Sequence, residues 1–196
     1  MPGPGMYGCN NRRRLLATVL LLPLVGCSSI SGPTVPTRFE PRKVAEVAMT
    51  TYDTNSDGQI SGAELDRCLS LKSAISFVDT NRDRAISADE IAQRMEAYKS
   101  QSTFVGMMIS VAKGGRPIAD ATVTLTPEPF MGEGFQAFAG KTDERGRVSV
   151  AGQDDPDTPG VPPGFYQVQI APPSGGEVVL GCEVSDDWND RLSFSL

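Results

Sequence analysis

Between Pro41 and Ser100 apolar residues recur at helical spacing, as Val44, Val47 and Ala48, then Leu65, Cys68 and Leu69, then Leu71, Ala74, Ile75 and Val78, then Ile91, Met95 and Tyr98. Residues three and four apart share a helix face, so each run predicts a short helix with one apolar stripe. Pro41 suits the first turn of the first helix. Helices this short are unstable alone in water, and their stripes are expected to close on each other. After Ser102 the period changes to two. Ala121, Val123 and Leu125 alternate with threonines, Tyr166, Val168 and Ile170 with glutamines, and Leu192, Phe194 and Leu196 with serines. Val148 with Val150, and Leu180 with Val184, continue the alternation, while Gly114-Gly115, Asp143 to Gly146 and Gly175-Gly176 supply turns. That half of the chain predicts a small antiparallel sandwich or barrel.

The helical run is interrupted twice by nearly the same letters, "DTNSDGQISGAE" from Asp53 to Glu64 and "DTNRDRAISADE" from Asp79 to Glu90. Calcium is a hard cation that takes six to eight oxygens, and a twelve-residue loop supplies them from positions 1, 3, 5, 7, 9 and 12. In the first loop those positions are Asp53, Asn55, Asp57, the Gln59 carbonyl, Ser61 (directly or through water) and a bidentate Glu64. In the second they are Asp79, Asn81, Asp83, the Ala85 carbonyl, Ser87 and Glu90. The pattern is that of the EF-hand, and both loops resemble it. Gly58 stands where the loop turns with positive φ, and Ile60 and Ile86 occupy the positions through which paired loops join. Ser61 with Glu64 and Ser87 with Glu90 also read as helix-capping boxes, which leaves Asp-x-Asn-x-Asp upstream unexplained.

The second loop departs once, with Arg84 in place of the turn glycine, at a cost of about 1 kcal/mol for a left-handed side-chain-bearing residue. Its formal charge is −2 (four acids against Arg82 and Arg84), whereas Asp53, Asp57 and Glu64 give the first loop −3. Two calcium ions are therefore expected, the second bound more weakly. One continuous helix across the 14 residues from Leu65 to Val78 would hold the loops about 21 Å apart. Two short helices breaking near Ser70 would let them pair. Extracellular calcium modules bind at about 0.1 to 1 mM, where the ion is constantly present, so its expected use is structural.

Ahead of the helices, Arg12, Arg13 and Arg14 precede an apolar run from Leu15 to Val25 that is too short to span a bilayer. Leu24-Val25-Gly26-Cys27 resembles the lipobox of bacterial lipoproteins, which implies cleavage before Cys27 and lipidation of its thiol. The expected organisation is a signal peptide at 1–26, a lipidated tether rich in Ser, Pro and Thr at 27–40, an EF-hand pair at 41–100 and a β-domain at 102–196. The fold class expected is thus two-domain, a small all-α EF-hand pair followed by an all-β antiparallel sandwich. Removal of the leader takes three arginines and no acid, giving (18 − 3) − 24 = −9. Such a chain has no basic stripe for nucleic acid, and membrane contact is expected through the lipid on Cys27. The exported side of a bacterial cell envelope is the expected location, the outer membrane before the inner if the organism has one. Cys68 and Cys182 are then left either bridged or as two buried thiols, and the strand parity of Cys182 with Leu180 and Val184 favours burial.

Three stretches resemble the carboxypeptidase regulatory-like family: "GRPIADATVTLTP" from Gly115, "GKTDERGRVSV" from Gly140 and "PPGFYQVQI" from Pro162. The resemblance covers Phe104 to Leu196 and implies a transthyretin-like β-sandwich that serves as a binding or assembly module rather than an enzyme. With no histidine in the chain, His-based zinc sites, Ser-His-Asp triads and Cys/His sites are excluded. Loop carboxylates such as Asp154, Asp155, Asp157, Asp186 and Asp187 leave a hydrolase as the least favoured reading, because they sit among turn residues. The expectation is a non-enzymatic, lipid-anchored calcium-binding protein of the envelope. A surface glycan- or peptide-binding protein is the alternative, and an envelope protein or a glycan the partner class.

Overall fold

The computed structural model describes residues 39–101, 104–154, 156–157, 160–187 and 191–196. The leader, Cys27, Asp155 and Trp188 lie outside the described residues. Pro41 opens α1 (Pro41–Tyr52), whose buried stripe is Val44, Ala45, Ala48 and Tyr52, with Val47 turned outward at 39% exposure. The first loop passes through β1 (Gln59–Ser61) into a series of tight turns from Gly62 to Arg67 rather than a helix. Gly62 has φ +49°, a conformation from which a right-handed helix cannot propagate. Two single-turn helices follow, α2 (Leu69–Ser73) and α3 (Ile75–Val78), so the break falls at Ala74 and not near Ser70. The second loop runs through β2 (Ala85–Ser87) straight into α4 (Ala88–Tyr98), which begins with a complete capping box between Ser87 and Glu90.

The remaining chain forms β3 (Met108–Lys113), β4 (Arg116–Pro117), β5 (Thr122–Pro127), a 3-10 turn at Pro129–Met131, β6 (Phe138–Lys141), β7 (Arg147–Ser149), β8 (Ala151–Gly152), β9 (Gly164–Ala171), β10 (Val178–Val184) and β11 (Arg191–Ser195). One sheet has the order β10-β9-β5-β6-β8; the other is β11-β3-β4, with β7 also paired to β3. Val123, Leu125, Phe138, Tyr166, Val168, Ile170 and Cys182 from the first sheet close on Ile109, Val111 and Val148 from the second. The Tyr166 hydroxyl donates to the Pro162 carbonyl at 2.9 Å, which satisfies it inside that core.

The two-domain expectation is overturned by three findings. The helical segment is not all-α, because β1 and β2 form an antiparallel ribbon with Ile60 opposite Ile86. It is not free-standing, because its buried residues share one cluster with Phe130, Met131 and Phe165 of the β-region, and every described residue falls in one compact unit. Nor is the sandwich wholly antiparallel, since β11 pairs with β3 in parallel, Leu192 beside Ile109 and Phe194 beside Val111. The described molecule is a three-layer, mostly β structure, with short helices laid over one face of the larger sheet.

Successive strand residues face opposite sides, and β9 and β10 record where the helices sit. Gly164, Phe165 and Tyr166 are buried in succession at the start of β9, whereas Val168, Gln169 and Ile170 alternate buried, exposed, buried. On β10, Cys182, Glu183 and Val184 are buried in succession at the other end. Tyr52 meets Phe130 edge-on at 6.1 Å, Phe130 meets Phe165 at 5.8 Å, and Tyr98 meets Phe165 at 5.9 Å, which makes an aromatic seam between the layers. Cys68 and Cys182 are both free and buried, the first in the helical cluster and the second in the sandwich core. Burial and the nearby Glu128 carboxylate push the Cys68 thiol up to about 11, and burial pushes Cys182 up as well.

Candidate metal centre

Each loop is wound around its first aspartate by a shared pair of hydrogen bonds, to which the second loop adds one from Arg82 N–H to Asp79 at 2.6 Å. Asp53 accepts from the Asp57 and Gly58 N–H groups at 3.2 and 3.0 Å, and Asp79 accepts from Asp83 and Arg84 at 3.2 and 2.9 Å. Asn55 Oδ1 accepts from Asp57 N–H at 2.8 Å, and Asn81 Oδ1 from Asp83 N–H at 2.9 Å. Asp57 and Asp83 in turn each accept from the N–H two residues on, both at 2.9 Å. The side chains at positions 1, 3 and 5 thus turn inward because the backbone of their own loop holds them.

Two positions per loop need a left-handed backbone. Ser56 and Arg82 occupy the fourth position at φ 60° and 62°, and Gly58 and Arg84 the sixth at 86° and 68°. Gly58 takes this conformation without strain, whereas Arg84 adopts it against the clash of its own Cβ. Arg84 is exposed, so its charge meets solvent at the rim of the loop.

Glu64 and Glu90 close the loops from the far end. Glu64 Oε1 accepts from the Thr54 and Asn55 N–H groups at 2.8 and 3.2 Å, while its Oε2 accepts from Ser61 N–H at 3.2 Å. Glu90 repeats this with Thr80, Asn81 and Ser87, at 3.0, 3.4 and 2.9 Å. The Ser61 N–H above all, then those of Thr54 and Asn55, hold the Glu64 carboxyl below the usual carboxylate range. Burial works against ionisation of Glu90, but the Ser87 N–H and hydroxyl and the N–H groups of Asn81 and Thr80 outweigh it, so that carboxyl is lowered too. Both are therefore ionised at neutral pH, the form a cation requires.

The twelve sequence-derived positions fall into two groups. Asp53, Asn55, Asp57 and Glu64 converge on the first loop through the bonds above, with Gln59 and Ser61 on β1; Asp79, Asn81, Asp83 and Glu90 converge on the second, with Ala85 and Ser87 on β2. Ile60 and Ile86 are fully buried between the loops. Among the described residues no three Asp, Glu or Cys side chains close on one point as a ready cage. The two carboxylate ends of each loop are instead occupied by N–H donors, and half of each oxygen set comes from amide, hydroxyl and carbonyl groups. The donor set is all oxygen, which fits a hard divalent cation and not a thiophilic one.

Two buried carboxylates beyond the loops were not legible in the sequence pattern. Glu128, 1% exposed, accepts from Tyr52 Oη at 2.9 Å, Ser70 Oγ at 2.7 Å and Gln167 Nε2 at 3.2 Å. Tyr52 immediately precedes Asp53, so this glutamate is held by the residue next to the first loop. Glu183 on β10 pairs with Arg94 Nε, accepts from Tyr98 Oη at 2.5 Å, and leaves its Oε2 buried without a partner. Arg94 also reaches Asp187 at 2.8 Å and Ser185 Oγ at 3.1 Å, and stacks over Tyr98 at 5.3 Å. Asp187 is therefore a partner of Arg94 and not one of a free carboxylate pair. The available sequence signals were Gly181 inside a strand, which marks a close backbone approach, and Glu183 on the same face two residues later.

No family model matches the chain, and no curated protein does. Among solved structures it is similar to the major pilin subunit of Bacillus cereus, at 14% identity and a TM-score of 0.28, over 47% of this chain. The chain spans 29% of that pilin.

Proposed function

We propose that the protein is a non-enzymatic, calcium-binding component of a bacterial cell envelope, anchored through lipid on Cys27. One ion sits in each loop, and the β-region serves as a binding or assembly module. The observation that carries calcium binding is the residue-for-residue repetition of the loop scaffold. Two stretches that differ at positions 4, 6, 7, 10 and 11 (Ser56, Gly58, Gln59, Gly62 and Ala63 against Arg82, Arg84, Ala85, Ala88 and Asp89) make the same inward-facing bonds at positions 1 and 3. Helix capping alone requires Ser87 and Glu90 but not Asp79, Asn81 or Asp83, and in the first loop no helix follows for Glu64 to cap. Calcium would be held by Asp53, Asn55, Asp57, Gln59, Ser61 and Glu64, and by Asp79, Asn81, Asp83, Ala85, Ser87 and Glu90. It supplies positive charge that neutralises the gathered carboxylates and ties the loop ends together.

Calorimetric titration of the metal-stripped protein tests this, beside the Asp53→Ala and Asp79→Ala variants. Two binding events are expected, the tighter lost in Asp53→Ala and the weaker in Asp79→Ala, with the tighter at or below about 1 mM. Heat-silent titration of the unaltered protein up to several millimolar, with no change in its thermal transition, would rule the assignment out.

A further inference from the structure

Calcium's final ligand in the second loop and the anchor of that loop on the sandwich lie on one rigid helix. Glu90, Arg94 and Tyr98 are spaced by four residues on α4, so they run along one side of it, one turn apart. Glu90 closes the loop through Thr80, Asn81 and Ser87. Arg94 and Tyr98 close on Glu183, whose side chain is fully buried, and Arg94 extends to Ser185 and Asp187 in the turn that follows β10. That turn is bound further by Asp187 N–H to Ser185 Oγ at 3.0 Å and by Asp186 N–H to Gln101 just beyond α4, at 3.1 Å.

We propose that occupancy of the second loop is transmitted through α4 to the Ser185–Asp187 turn, so that one end of the sandwich is ordered by calcium. This rests on the calcium reading above and goes beyond it. Without an ion, Asp79, Asp83 and Glu90 place like charges around one loop, and their repulsion acts on the first turn of α4. A short helix cannot absorb that shift internally, so it passes to the far end, where a buried ion pair with one unsatisfied oxygen is sensitive to small displacements. Linkage makes the effect reciprocal: whatever loosens Arg94 from the turn must weaken calcium in the second loop by the same factor.

Backbone amide spectra of the full chain, recorded through a calcium titration, test this in the unaltered protein and in Arg94→Lys and Asp187→Asn. Arg94→Lys keeps the charge and loses the planar fork, and Asp187 is half-exposed, so its variant spares the buried pair. The amides of Ser185, Asp186 and Asp187 are expected to move in the unaltered protein with the midpoint of the second loop, not the first. In Arg94→Lys that movement should shrink and second-loop affinity fall by about fivefold, the low end of measured coupling, with first-loop affinity unchanged. Asp187→Asn should give the same change in smaller degree. Loop amides that titrate while residues 185–187 stay still would overturn the transmission and leave calcium binding standing. Equal second-loop affinity in all three proteins would do the same. Loop amides that do not titrate would overturn both.

Discussion

Replacing Gly181 by valine is expected to cost more than about 3 kcal/mol, the upper end of overpacking penalties, and to release the helical layer from the sheet. A Cβ at this position would fall well inside contact distance of the Leu69 carbonyl group and the Ser70 nitrogen, which are backbone and cannot rotate away. Gly181 is thus where the start of α2 seats directly on β10. Moving α2 would also draw Ser70 from Glu128, leaving that carboxylate with fewer of its donors. Urea denaturation would measure the loss, and alkylation of Cys68, now shielded in the helical cluster, would report the opening. A loss under about 1 kcal/mol would mean that the close approach contributes little, because even one added methylene in a packed site usually costs that much.

Arg94→Ala is expected to cost about 3 to 5 kcal/mol, the range for breaking a buried ion pair from one side. The Glu183 side chain is fully buried and Arg94 is 12% exposed, so water cannot replace the lost partner. Burial alone would disfavour the charged guanidinium, but the hydrogen bond it donates to Glu183 and then the charge of that carboxylate hold it firmly protonated. Burial, then the Glu183 charge, likewise drive Tyr98 well above the ordinary phenol range, so it stays a neutral donor. Replacing both partners with apolar residues, Arg94→Met with Glu183→Leu, should cost less than the single change, because no charge is then stranded. Chemical denaturation of Arg94→Met, Glu183→Leu and the double variant decides it, and a double variant as unstable as the sum of its two single changes would show that the pair acts through packing instead.

What the sequence disclosed followed the range of its signals. Alternation at Val123 and Leu125, and at Tyr166, Val168 and Ile170, marked strands because each strand's own pleat imposes it. Helical spacing found α1 and α4, and the loop letters specified where Gly58 turns and where Ile60 meets Ile86. Long-range pairing leaves no such mark. The parallel addition of β11 to β3 joins residues 191–195 to residues 108–112, and nothing in "RLSFS" distinguishes a parallel from an antiparallel neighbour. The separation into two domains failed for a related reason. Phe165 and Glu183 stand on the sheet face that alternation assigned to solvent, and the helical layer that covers them is remote in sequence. The turns after Glu64 were missed because Leu65, Cys68 and Leu69 suit a helix while Gly62, just ahead of them, does not.

Scanning calorimetry of the whole protein, stripped of metal and then with calcium at about a hundred times the measured dissociation constant, tests the central claim most directly. Loops that bind calcium and share a core with the sandwich predict a single transition that moves upward. One site loaded to that degree contributes about 2.7 kcal/mol, which for a unit of this size is a rise of roughly 5 to 10 °C. A transition indifferent to calcium would contradict binding. Two transitions, with only one displaced by the ion, would contradict the single cooperative structure in which Glu128 and Glu183 fasten the loops to the sheet.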